Sequence, residues 1–131
     1  MRFNHATLHA ADLERSTAFY NKLGLIQIVA APPRYARFAF PDGDATLSIE
    51  VEPDPAPAPA GITLYFECDD LDERVASLQA SGVAFDLPPT DMFYLWREAW
   101  LRDPDGHAIR LYRAGENRLN PPWRLPEAAV S

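Results

Sequence analysis

Two stretches of the chain repeat each other at a fixed distance, and no other feature limits its folding as tightly. Phe3-Asn4-His5-Ala6-Thr7-Leu8-His9-Ala10-Ala11-Asp12-Leu13 leads into a helical run that stops at Gly24. Ile62-Thr63-Leu64-Tyr65-Phe66-Glu67-Cys68-Asp69-Asp70-Leu71 leads into another that stops at Gly82. Asp12 and Asp70 are 58 positions apart, and so are Gly24 and Gly82. A constant offset at both ends is what a duplicated strand and helix leaves behind. The turn Pro41-Asp42-Gly43 returns as Pro104-Asp105-Gly106 at an offset of 63, so the second copy carries extra residues before its turn, where loops tolerate them.

Each copy reads as a strand feeding a helix. Alternation puts His5, Thr7 and His9 on one face and Ala6, Leu8 and Ala10 on the other. In the second copy Thr63, Tyr65 and Glu67 oppose Ile62, Leu64, Phe66 and Cys68. The apolar faces are expected to meet the helices, which leaves the mixed faces to line a hollow. Asp12 and Asp70 stand where a helix start needs acceptors, with Glu73 in a capping-box position, and Gly24 and Gly82 suit the left-handed residue past a helix end.

The chain between and after these copies completes two similar modules. Strands are expected at Leu25–Ala30, Tyr35–Phe40 and Ala45–Val51, the last two a hairpin about Pro41-Asp42-Gly43-Asp44. Residues 1–52 form the first module, 53–60 a proline-rich extended linker, 61–113 the second module and 114–131 a tail. In the second module the expectation is a helix Leu71–Ala80, a short strand near Val83–Leu87, an insertion opening at Pro88 with the aromatic cluster Met92–Trp96, and a hairpin of Arg97–Arg102 with Ala108–Arg113. Trp123 in the tail calls for an apolar site on the body or on a second subunit.

With 131 residues, 47% of them hydrophobic, neither half could hold a core alone. No apolar run is long enough for a bilayer span, and the N-terminus is unlike a signal peptide. The single Cys68 reads as an inert thiol, and a cytoplasmic protein is the simplest expectation. A net charge of −7 without a clustered basic face argues against nucleic acid and membrane as partners, and leaves a neutral or cationic small molecule.

The doubled module, the His-x-x-Leu strand, the Asp-Leu helix starts, Phe19-Tyr20-x-x-Leu23-Gly24 and the Asp103-Pro104-Asp105-Gly106 turn together resemble the vicinal oxygen chelate superfamily. That group includes glyoxalases, bleomycin-resistance proteins and extradiol dioxygenases. The resemblance covers residues 3–113 and implies an α+β fold of two tandem βαβββ modules whose curled mixed sheets share a cleft, often completed in a homodimer. In metal-dependent members it also implies a divalent ion such as zinc, nickel, manganese or iron on four ligands. Only His5, with Glu50 or Ser48, matches those positions here. The other two carry Thr63, a poor ligand, and Arg110, which repels a cation, so the expectation is no cofactor. A displaced site from His9, Glu67 and Glu98 is the alternative.

Without a metal, the mixed lining of His5, Thr7, His9, Tyr65, Glu67, Arg110 and Tyr112 describes a small-ligand site, with Glu50, Thr63, Trp96, Glu98 and Trp100 as further binding candidates. Arg110 has two readings: a fork for a ligand oxyanion, or an internal pair with Glu67 or Glu50. The aromatic cluster is either a wall that stacks a flat ligand or plain packing. His5 and Glu67 are the catalytic candidates: a glyoxalase-like lyase or isomerase would use a metal with a carboxylate or histidine base, and a metal-independent enzyme would use His5 with Tyr65 or Glu67 as acid and base. The other class is a bleomycin-resistance-like protein that sequesters a ligand without chemistry.

Overall fold

The computed structural model describes residues 1–52, 54 and 61–126. The proline-rich linker, apart from Asp54, lies outside the described residues, as do residues 127–131. The chain divides into two compact units, Met1–Leu64 with Arg102–Ile109, and Tyr65–Leu101 with Arg110–Ser131. Each sheet has four strands and one accompanying helix, the α+β arrangement of doubled βαβββ order.

In the first unit, strand β1 (His5–Ala10), helix α1 (Leu13–Leu23) and strands β2 (Ile26–Ala31), β3 (Tyr35–Ala39) and β4 (Thr46–Val51) follow the expected order. The sheet runs β1-β4-β3-β2, with β1 parallel to β4 and the remaining pairs antiparallel. Register fixes the two faces. Ala6, Leu8 and Ala10 stand beside Leu47, Ile49 and Val51, while His5, Thr7 and His9 stand beside Thr46, Ser48 and Glu50. Helix α1 lies against β3 and β4, and its fully buried Tyr20 meets the Phe38 ring at 6.0 Å. Tyr20, Phe38, Leu47 and Ile49 form this core, each worth about 1.5–3 kcal/mol of burial.

Helix α1 starts and stops as its sequence dictates. Asp12 accepts a hydrogen bond from the Arg15 N–H, and Gly24 takes φ 103°, sending its N–H back to Asn21 and Tyr20 carbonyls. A second anchor comes from far along the chain. Asp105, in the Asp103-Pro104-Asp105-Gly106 turn, accepts from the Ala11 N–H, Arg15 Nη2 and the buried Ser16 hydroxyl. Asp103 accepts from the Tyr20 hydroxyl at 2.7 Å, and its other oxygen takes the Asp105 and His107 N–H groups. The repeated turn therefore does more than reverse a hairpin: it closes the start of α1 and satisfies a buried phenol. Burial, and then the Asp103 charge, push the Tyr20 phenol far above its ordinary value.

In the second unit's sheet, β5 (Thr63–Glu67), β6 (Leu87–Asp91), β7 (Arg97–Arg102) and β8 (Ala108–Arg113) run in the order β5-β8-β7-β6, accompanied by helix α2 (Leu71–Ala80). Leu71, Val75 and Leu78 are the buried residues of α2, and Ala99, Leu101 and Leu111 supply the sheet's apolar side. Here three details depart from the sequence expectation. Strand β6 is Leu87–Asp91, not Val83–Leu87, and it contains Pro88 and Pro89. It is an edge strand with an irregular register between Leu87 and Thr90, so prolines that cannot donate cost little there. Asp70 makes no side-chain cap; its φ of −100° and ψ of 41° are not those of a capping residue, and its carboxylate pairs with Arg74 instead. Ile62 falls before β5 and is exposed.

Candidate functional site

The polar face of the second sheet gathers most of its candidate residues into one constellation. Tyr65 from β5, Glu98 and Trp100 from β7, and Arg110 and Tyr112 from β8 alternate with Leu64 and Phe66, Ala99 and Leu101, and Ile109 and Leu111, so pleating presents them together. Trp96 joins from the loop between β6 and β7. Its ring stacks on Tyr112 at 4.9 Å and meets Tyr65 edge-on at 5.7 Å. Tyr94, two residues earlier, meets Trp96 edge-on at 5.9 Å. The loop is held by the Met92 N–H to the Trp96 carbonyl, and Leu95 in it has φ 71°. A leucine in that left-handed region costs about 1–2 kcal/mol, a strain that the surrounding contacts sustain.

Glu98 lies at the base of this group and is fully buried. A carboxylate in that position needs donors, and three converge on it: Trp100 Nε1 at 2.8 Å, the Tyr94 hydroxyl and Arg110 Nη1 at 3.5 Å. Burial, then the bond to Glu98, push the Tyr94 phenol up to about 12, so it remains a donor at neutral pH. Arg110 lies over the Trp100 ring at 3.9 Å and over the Tyr65 ring at 5.6 Å, and its Nη1 also donates to the Tyr65 hydroxyl at 2.9 Å. The internal partner of Arg110 is thus Glu98, where the sequence suggested Glu67 or Glu50. Burial also raises the Tyr112 phenol.

Neighbouring groups fix the edges of the face. Arg97 grips Asp72 through Nε and Nη2 at 2.9 and 3.2 Å and Asp91 through Nη1 at 2.9 Å, tying α2 to the hairpin. Trp96 Nε1 donates to the Asn117 carbonyl at 3.2 Å, which anchors the first turn of the tail. Beyond that turn Trp123 is 57% exposed, so among the described residues it lacks the apolar site its type favours. Glu67 and Thr63 are exposed on β5. Cys68 is half-buried, and burial pushes its thiol up to about 11.

On the first sheet, His5, Thr7, His9 and Glu50 share one exposed face. His5 Nδ1 lies 2.6 Å from Thr46 Oγ1 and Nε2 3.2 Å from Thr7 Oγ1, so both ring nitrogens have hydroxyl partners. His9 approaches Glu52 at 4.0 Å, and its carbonyl meets His107 Nε2 at 2.9 Å. Two residues not singled out in the sequence complete this face. The Tyr35 hydroxyl lies 2.6 Å from buried Ser48 Oγ and accepts from Arg37 Nε at 2.9 Å. These contacts, Ser48 first and Arg37 after it, hold the Tyr35 phenol below its ordinary value. Alternation along β3 is the signal that would have found them: Tyr35 and Arg37 are the polar residues between buried Ala36 and Phe38. The two catalytic candidates, His5 and Glu67, belong to different units.

The donor set does not fit the metal that the resemblance implies. Of its four positions, Thr63 offers only a neutral hydroxyl, and Arg110 brings a guanidinium that is engaged with Glu98 and Tyr65. Glu98, counted in the displaced alternative, spends its oxygens on Trp100, Tyr94 and Arg110. Among the described residues no group of three or more His, Cys, Asp and Glu side chains is placed to hold a metal ion.

Sequence and fold comparisons agree on the class of protein these features define. The family model of the Glyoxalase/Bleomycin resistance protein/Dioxygenase superfamily matches residues 2–111, and the chain belongs to that family. A superfamily member from Sphaerobacter thermophilus is similar in structure with TM-score 0.70 and 25% identity, covering 86% of this chain and 97% of that one. A lactoylglutathione lyase from Agrobacterium tumefaciens gives TM-score 0.69 at 21% identity, over 86% and 92% of the two chains. A bleomycin-binding protein complexed with bleomycin gives TM-score 0.67 at 21% identity, over 86% and 98%. Comparison with curated protein sequences gives no match.

Proposed function

We propose that the chain binds a flat small molecule against the aromatic face of the second sheet and sequesters it without chemistry. The observation that carries this is the aromatic wall of exposed Tyr65 with half-buried Trp96 and Trp100 around a half-buried Arg110, built over a fully buried Glu98. Such convergence of stacking rings and few polar groups suits a planar ligand. A structural relative complexed with bleomycin supports small-molecule binding in this family. Among the described residues no helix is long and apolar enough to cross a membrane. A thermal-shift screen against aromatic metabolites and cationic antibiotics tests the proposal. A ligand that stabilises the native chain and loses that effect on Trp96→Ala supports it; a shift that survives this substitution overturns it.

A second reading, a metal-independent lyase or isomerase, is favoured by the first sheet. There Tyr35, held by Ser48 and Arg37, is a phenol readied to give or take a proton, with His5 and His9 on the same face. The lyase among the structural relatives is consistent with it. Turnover of a carbonyl adduct that persists in Tyr35→Phe and in His5→Ala would end this reading. Exposed Ile26 and Ile28 on edge strand β2 support pairing with a second copy, which light scattering at micromolar concentration tests.

A further inference from the structure

The position of Arg110 carries information about what the aromatic face accepts. Resting on the proposal that this face is a ligand site, we infer that the ligand is an uncharged flat aromatic compound bearing a carbonyl oxygen, selected by Arg110 and kept from being a carboxylate by Glu98. A guanidinium offers five N–H donors in a plane. Among the described residues both polar contacts of Arg110 run through Nη1, to Tyr65 and to Glu98, which leaves the Nε–H and Nη2 hydrogens as the donors offered to a ligand. The side chain is 27% exposed, and the Trp100 ring lies under the guanidinium and holds its plane.

Selection between an oxyanion and a neutral acceptor follows from the charge behind the fork. Glu98 is fully buried at 3.5 Å from Arg110, so the cation already has its counter-ion in a setting that water screens poorly. A second carboxylate placed on the outer edge of Arg110 gains that cation but faces Glu98 across it. A ketone, amide or quinone oxygen takes the same N–H donors and brings no charge to repel. Glu98 cannot turn away, because Trp100 Nε1 and the Tyr94 hydroxyl hold both of its oxygens. The whole chain adds to this preference with its net charge of −7. Glu98 is a positioning residue: it orients and neutralises Arg110 and does not touch the ligand.

Three probes of one shape separate the contributions: 2-naphthamide, 2-naphthoate and 2-isopropylnaphthalene, titrated into the full chain by tryptophan fluorescence and calorimetry. The amide is expected to bind about tenfold more tightly than either of the others. Glu98→Gln keeps the shape and an acceptor for the Trp100 N–H but uncovers the Arg110 charge, so naphthoate should then overtake the amide. Arg110→Met should erase the advantage of the amide over the hydrocarbon while the stacking contribution remains. Naphthoate binding as tightly as the amide to the native chain, or an unchanged order in Glu98→Gln, overturns the inference while leaving a ligand site in place. If Glu98→Gln does not fold, Arg110→Met decides alone: an amide that keeps its advantage there overturns it. Failure of all three probes to bind the native chain removes the ligand site itself, and this inference with it.

Discussion

Arg110 lies 3.9 Å above the Trp100 ring while the Trp100 N–H donates to the same carboxylate, Glu98, that neutralises Arg110. The indole thus serves both members of the ion pair, one with its face and one with its edge. Removing the acid undoes all three contacts together. Glu98→Ala leaves the Trp100 N–H and the Tyr94 hydroxyl without their acceptor and Arg110 without its counter-charge. A loss of about 3 kcal/mol in urea unfolding is expected. A loss below 1 kcal/mol would mean that water replaces the carboxylate without cost.

The turn at Asp103-Pro104-Asp105-Gly106 makes its own prediction. Tyr20→Phe removes the donor to Asp103, and Asp105→Ala removes the acceptor shared by the Ala11 N–H, Arg15 and Ser16. Each should cost about 1–3 kcal/mol, because the phenol and the Ser16 hydroxyl are buried. The mutations should also lower the hydrogen-exchange protection of α1 before that of β7. Equal loss in both elements would contradict the placement of this turn as the anchor of the helix.

Cys68 gives the pH dependence. Its folded thiol titrates at about 11 against an ordinary value of 9.0, so the neutral form is favoured by folding. Its contribution is therefore fully present below pH 9 and is lost as pH rises through about 11. At pH 8 the thiolate is on the order of one molecule in a thousand, and a disulfide reagent should modify the native chain far more slowly than the urea-unfolded chain. Equal rates in both states would place Cys68 in water.

A hydrogen bond from Trp96 ties the tail to the aromatic face. Trp96→Phe retains a ring but deletes the donor to the Asn117 carbonyl. Amide exchange at Asn117 and Asn120, whose N–H groups bond within this turn, should accelerate at least about tenfold, with the rest of the second sheet unchanged. Unchanged exchange would mean that the turn stands by itself.

Much of the fold was legible because it is periodic. Two copies at one spacing, alternating faces and glycines past the helix ends point to strands and helices that the structure has, and α2 falls on Leu71–Ala80 as read. What eluded the sequence depends on edge position and on long-range partners. Two prolines read as a break at Pro88, yet an edge strand accepts them. Asp70 looked like a cap equal to Asp12, but the backbone turns it toward Arg74. Glu98 read as a binding candidate and a member of a displaced metal site, not as a buried acid; the three donors that meet it, from Tyr94, Trp100 and Arg110, are a convergence no local pattern encodes. Alternation did place Tyr65, Arg110 and Tyr112 on one face, because that information is local.

The three tryptophans supply the most direct measurement of whether this face receives a ligand. Two of them, Trp96 and Trp100, belong to it, and Trp123 stands exposed in the tail. Titrating 2-naphthamide while following the indole N–H resonances by NMR should move the signals of Trp96 and Trp100 along one saturation curve and leave Trp123 in place. Movement of Trp123 alone, or of none of the three at saturating probe, would contradict the assignment of the face as the binding site.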